Sequence, residues 1–343
     1  MNPRNRRAFG LDVWGLLLLL PLAAVPFVTT NQYYYSLTNQ ALIGLVAAFS
    51  VYIMLRMDLL SFAVPAFMAM GGYAAALAAK AGMTNLFLIL ALSFVVPALV
   101  ALPLGALVLR LKGVYFVLVT FVFNEILQLL LFETPALTGG SNGISGVPAV
   151  TLLGQQLGTN RMVVIVTLTV ALLAALITLA VTHRFRPEFA SIEENETLAE
   201  SLGLVVWRYR TIGFMVAAGI AGLAGFALVN MLLTAHPSSF SSFSSVNYIA
   251  YAIIGGRGTM LGPVLGSGLL VWMSNMFSSQ GQYSAGLFGL LLIAVVTIAP
   301  GGMVGAGMQA FHALRRRLAS RRPARAVAGA DVSAESPRRL KRG

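Results

Sequence analysis

An all-α architecture, a polytopic transmembrane helical bundle of about ten spans with some helices short or broken, is predicted by three observations. Hydrophobic residues make up 58% of the chain and charged residues only 10%, against about 25% charged in a soluble domain, so lipid must cover most of the surface. Apolar runs close to the roughly 20 residues needed to cross a bilayer recur along the chain. Lysines and arginines between these runs fall on alternate loops, as repeated threading through a membrane requires.

Residues 1–10 carry Arg4, Arg6 and Arg7 and are expected to form a basic cytoplasmic N-terminus. The run from Leu11 to Val28 is longer than a secretory h-region and lacks a clear small-x-small cleavage site, so it is predicted as an uncleaved first span, 11–29. Further spans are predicted at 40–55, 60–79, 86–109, 113–132, 162–182, 211–233, 246–255, 262–277 and 284–299, the eighth being too short to cross alone. Arg56 with Asp58, Arg110 with Lys112, the cluster from His183 to Arg210, and Arg257 alternate with the loops 29–39, 133–160 and 234–245. The basic set is expected on the cytoplasmic side, with both termini cytoplasmic. The transmembrane domain accordingly covers 11–310, with a charged cytoplasmic segment at 183–210. Residues 311–343, rich in Arg, Ala, Ser and Pro, are expected to be a basic, disordered cytoplasmic tail.

The net charge of +12 resides mostly in the two ends, which reads as anchoring to anionic lipid headgroups rather than as a nucleic-acid surface. There is no cysteine, which removes disulfides and thiolate chemistry. The three histidines, His183, His236 and His312, have no metal-ligand spacing, and no metal site is expected. The three lysines, Lys80, Lys112 and Lys341, sit in no phosphate-binding loop. If ATP drives this protein, another chain binds it, and no cofactor is expected on this one.

Polar groups within apolar spans are the remaining candidates for function. Asn124, Glu125 and Gln128 interrupt the span 113–132; they would line a polar path, or hydrogen-bond between helices, and such groups usually face the bundle interior. Gly219, Gly222 and Gly225 recur at three-residue spacing, and Gly262 and Gly266 at four, which predicts close helix packing. Gly255 and Gly256 with Arg257 mark either a broken helix beside the path or a tight turn. The loop around Gly139, Gly140 and Asn142 belongs to the outer face. In the charged segment, Leu198, Leu202 and Leu204 with Ala199 are expected to give an apolar stripe while Glu193, Glu194, Glu196 and Glu200 stay solvated, either as a plain surface helix or as a docking surface.

Four stretches carry a family resemblance: 66–76, 109–144, 194–214 and 253–266. In this order they resemble the permease subunits of ABC importers for branched-chain amino acids, most closely the LivM type. The resemblance implies a second permease subunit, two ABC ATPase subunits that carry ATP and Mg, and an extracytoplasmic solute-binding protein, in a bacterial inner membrane. It implies that 193–203, with Glu193, Glu194, Glu196, Ala199, Glu200 and Gly203, is the coupling helix that docks on the ATPase. Where the family commonly has an arginine-containing run, this chain has Ala190–Glu194, a more acidic surface. The rival readings are a self-contained secondary transporter using Glu125, and a non-transporting membrane assembly subunit.

Overall fold

A computed structural model describes residues 17–278, together with Gly15 and scattered positions between 286 and 305. The predicted N-terminus 1–10, the span 284–299 as a whole and the tail 311–343 lie outside the described residues. The helices are α1 (Leu19–Val28), α2 (Gln32–Leu55), α3 (Val64–Lys80), α4 (Leu86–Val108), α5 (Val114–Glu133), α6 (Pro135–Thr138), α7 (Asn160–Arg184), α8 (Arg186–Glu194), α9 (Glu196–Ser201), α10 (Val206–Leu232), α11 (Phe243–Gly255) and α12 (Leu261–Ser278). Four two-residue strands are the only sheet among the described residues: β1 (Ile144–Ser145), β2 (Thr151–Leu152), β3 (Gln155–Gln156) and β4 (Thr234–Ala235). Among the described residues five helices, α2, α4, α5, α7 and α10, are long and apolar enough to cross a membrane.

Caps set where several helices begin. Asn31 accepts a hydrogen bond from the Tyr33 amide at 2.9 Å, so α2 starts eight residues before its apolar run and includes the polar turns from Gln32 to Asn39. Asn85 starts α4 in the same way through Phe87. At the other end of α3, Lys80 lies in the last turn, where a cation suits the negative helix end.

The core is built on α2 and α10. Helix α10 packs against α3, α4 and α2, while α2 also meets α7 and α12. Phe214 of α10 lies edge-on to Phe67 of α3 (ring centroids 5.5 Å apart) and close to Phe116 of α5. The glycine series sets the helix spacing, as its periodicity predicts. A Cβ on Gly222 would strike the Ser93 carbonyl oxygen, one on Gly225 the Met68 carbonyl oxygen, and one on Gly71 the backbone of Gly222. Pro97 has no N–H to offer Ser93, and Gly222 lets α10 close over that freed carbonyl.

Two non-helical segments pack among the apolar helices, and a backbone polar group kept from water there needs a partner. In the link between α2 and α3, the Phe62 N–H donates to Thr120 Oγ1 (3.1 Å) and its carbonyl accepts from Ser245 Oγ (2.8 Å). Just before α11, Ser242 meets Asn124, which lies midway along α5. Helix α11 has 13 residues, about 20 Å at 1.5 Å per residue, too short to cross a hydrocarbon core of about 30 Å by itself. Gly256, at φ 119°, opens a tight turn from α11 into α12, and glycines of the two helices let them close on each other: a Cβ on Gly255 would meet the Gly262 carbonyl and one on Gly266 the Tyr251 carbonyl. The glycines around Arg257 thus serve a turn between closely packed helices rather than a break within one.

Candidate functional site

The charged segment forms two helices where the sequence suggested one. Asn195 stands between them with extended backbone (φ −162°, ψ 104°) and caps α9 by accepting from the Leu198 amide at 3.0 Å; asparagine competes for such caps rather than continuing a helix. Glu193 and Glu194 therefore close α8, while Glu196, Ala199 and Glu200 belong to α9. The far end of α9 is a Schellman motif. The Gly203 amide donates to the Glu200 carbonyl (2.9 Å) and the Leu204 amide to the Ala199 carbonyl (3.0 Å), with Gly203 at φ 90°. Ala199, Leu204, Ile192 and Val206 pack together beneath the motif.

Two ion-pair groups fix this segment to the spans. Arg56, at the end of α2, holds Glu193 at 2.7 Å. Arg210 of α10 and Lys112, ahead of α5, both hold Glu196 Oε1, at 2.8 and 3.1 Å. Arg210 also donates to the Met57 carbonyl at 3.3 Å, and only 5% of its side chain is exposed. Glu193 and Glu196 are thus not simply solvated, as their composition suggested; they face the bundle. The outward side carries Glu194, Leu198, Glu200 and Leu202, with Leu198 56% and Leu202 80% exposed. The expected apolar stripe is divided, with Ala199 and Leu204 inward and Leu198 and Leu202 outward.

The residues expected along the path fall at three depths. Asn124 is buried and donates to Ser242, and Gln128 donates to the Pro237 carbonyl at 3.4 Å. Glu125 does not face the interior as expected; it lies on the exposed side of α5 with Leu118, Val122, Ile126 and Leu129. The reason is helical geometry, since a step of one residue turns 100°, and inward packing of Asn124 sends Glu125 outward. Only 22% of the residues in the apolar stretch of α5 are buried, against 89% in that of α2.

Gly139, Gly140 and Asn142 lie at the face opposite the charged segment. Gly139, Gly140 and Gly143 have φ of 75°, 56° and 64°, a left-handed backbone that glycine adopts without penalty. Strand β1 pairs antiparallel with β4, Ile144 opposite Ala235. His236 Nδ1 accepts from the Ser238 amide (3.2 Å), which leaves Nε2 to donate to the Ser141 carbonyl (2.9 Å). The loops 138–146 and 234–240 thereby form one outer structure. Neither these two-residue strands nor the histidine clasp has a periodic signature in the sequence; turn glycines were the available signal.

The family described as branched-chain amino acid transport system / permease component matches residues 33–299, most of the chain. The chain belongs to this family. The branched-chain amino acid permease family member is 29% identical over 262 residues to the high-affinity branched-chain amino acid transport system permease protein LivM of Salmonella typhimurium, covering 69% of this chain and 62% of the relative. It is 29% identical over 225 residues to LivM of Escherichia coli, covering 59% and 53%. A xylose/arabinose import permease protein of Sulfolobus acidocaldarius is 30% identical over 112 residues, 30% of this chain and 32% of that one. The chain thus spans about three fifths of the Salmonella LivM and about half of the Escherichia coli one. No solved structure matches. With its apolar helices, family membership makes this a multi-pass membrane protein of a transport-permease family.

Proposed function

We propose that this chain is one of two membrane subunits of an ATP-driven importer for branched-chain amino acids or related small polar solutes, seated in the inner membrane with α8 and α9 on the cytoplasmic side. The observation that carries this reading is the doubly ion-paired charged segment. Glu193 and Glu196 tie it to α2, α10 and the start of α5, so force applied to its outer surface reaches the spans. The applied force comes from two ATPase subunits, which hold ATP and Mg, closing on each other. Solute arrives on a binding protein that docks on the joined outer loops 138–146 and 234–240, and passes as the two permease subunits exchange access between the faces.

The exposed side of α5 supports a second permease subunit. A charge in lipid at mid-bilayer costs about 2.5–3.5 kcal/mol, and Glu125 is relieved of that cost if a neighbouring subunit encloses it. A self-contained secondary transporter would use this carboxylate within its own bundle, and the outward position of Glu125 does not favour that arrangement. Both termini lie in the cytoplasm, where the basic ends meet anionic lipid.

Leu202→Glu and Leu198→Glu test the docking role. Neither side chain packs in the core, so stability should change by no more than about 0.5 kcal/mol. Purification of each tagged variant in mild detergent should lose the stoichiometric ATPase subunits that accompany the unaltered chain. Retention of those subunits by both variants would show that α9 is not the docking surface.

A further inference from the structure

The face that carries α8 and α9 contains a cavity of about 550 Å³, within the roughly 300–1,000 Å³ of small-molecule sites. Its lining is of two kinds. Leu55, Leu59, Phe116 and Ile253 are among the apolar residues, while Asp58, Lys112, Glu196, Arg210 and Arg257 supply three cations and two carboxylates.

Several of these polar groups are unspent. Helix α5 begins at the cavity wall, and its N-cap, Gly113, contributes no side-chain cap. The first-turn N–H groups there have no intrahelical acceptor, and together with the helix dipole they favour an anion. Arg210 is nine-tenths buried, and its Nε has no hydrogen-bond partner. Arg257 and Asp58 are both exposed on this lining and make no ion pair among the described residues. Asp58 is held at φ 57°, a left-handed conformation that aspartate tolerates better than most residues.

We propose that this cavity is a binding site for an aliphatic amino acid in its zwitterionic form. The carboxylate lies at the start of α5 among Lys112, Arg210 and Arg257, the ammonium group at Asp58, and the aliphatic side chain against the leucines, Phe116 and Ile253. The assignment rests on the transport reading for the identity of the amino acid, and adds a site on the side to which solute is delivered. It has a regulatory consequence. Lys112 and Arg210 also hold Glu196, so a bound carboxylate competes with α9 for its anchors and loosens the coupling segment. Accumulated solute thereby slows its own import.

The test uses the full chain, purified in mild detergent with whatever subunits accompany it and without binding protein. Tritiated leucine is titrated, with isovalerate (no ammonium) and isoamylamine (no carboxylate) as competitors. Saturable binding is expected, with isovalerate competing better than isoamylamine. Arg257→Gln and Lys112→Gln should each weaken it about tenfold, the effect of losing one charged hydrogen bond, and Asp58→Asn should abolish the preference for leucine over isovalerate. Leucine should also increase hydrogen exchange over 193–203. Absence of saturable binding, or binding indifferent to both Arg257→Gln and Lys112→Gln, overturns the site. If the unaltered complex takes up leucine with ATP yet binds none here, the cavity assignment fails and the importer stands. Leucine binding in this cavity by a chain with no ATP-driven uptake establishes the site and removes the importer.

Discussion

Gly222→Val should destabilise the helix bundle by about 3 kcal/mol or more. The added Cβ would strike the Ser93 carbonyl oxygen and Pro97 of α4, and neither a carbonyl nor a proline ring in a helix can turn aside. Relief requires α10 to move away from α4 while the same helix remains in close contact with α3 through Gly71 and Gly225. Small residues are what permit helix association where lipid removes the hydrophobic drive between helices. Overpacking a core costs about 1–3 kcal/mol, occasionally more, and collision with backbone belongs at the upper end. The check is thermal unfolding in detergent, with Gly268→Ala as its counterpart. Gly268 lies exposed in α12 and a Cβ there meets nothing, so the gain in helix propensity should stabilise the chain by up to about 1 kcal/mol. Equal unfolding temperatures for the two variants would contradict the packing.

Arg210→Met should disconnect α9 from the spans. The substitution leaves Glu196 beside an apolar side chain, with Lys112, itself 62% exposed, as its remaining cation, and it frees the Met57 carbonyl. Removal of one partner from a buried pair costs about 3–5 kcal/mol; the partial exposure of Glu196 puts this case near the lower limit. Hydrogen exchange over 193–203 should rise, and ATP hydrolysis by the partner subunits should cease to respond to solute. Arg210→Met combined with Glu196→Gln should recover part of the stability, because the stranded carboxylate is gone, but none of the coupling. Lysine at 210 should serve poorly, since one ammonium cannot satisfy Glu196 and the Met57 carbonyl with the geometry of a guanidinium.

These two regions differ in how far the sequence reveals them. The three-residue glycine spacing announced close packing, and the structure supplies the carbonyls that enforce it. The short span before Gly255 was legible from length alone, although its glycines form a turn. The charged segment was visible as an island of acidic residues, but its anchoring was not, because Arg56 and Glu193 are 137 residues apart in sequence and a lone arginine at the end of an apolar helix gives no sign of its partner. Glu125 misled for another reason. The cost of a charge in lipid requires that it be covered in the assembled protein, and says nothing of which chain covers it. The start of α2 was placed late because hydropathy ignores the Asn31 cap.

The central claim is that this chain moves solute only when an ATPase drives it through α8 and α9. The most direct measurement is uptake of labelled leucine into proteoliposomes holding the purified complex, its binding protein and internal ATP, compared with the same preparation after the ATPase subunits are stripped away. The account predicts uptake in the first and none in the second. Uptake that persists without the ATPase subunits would contradict it.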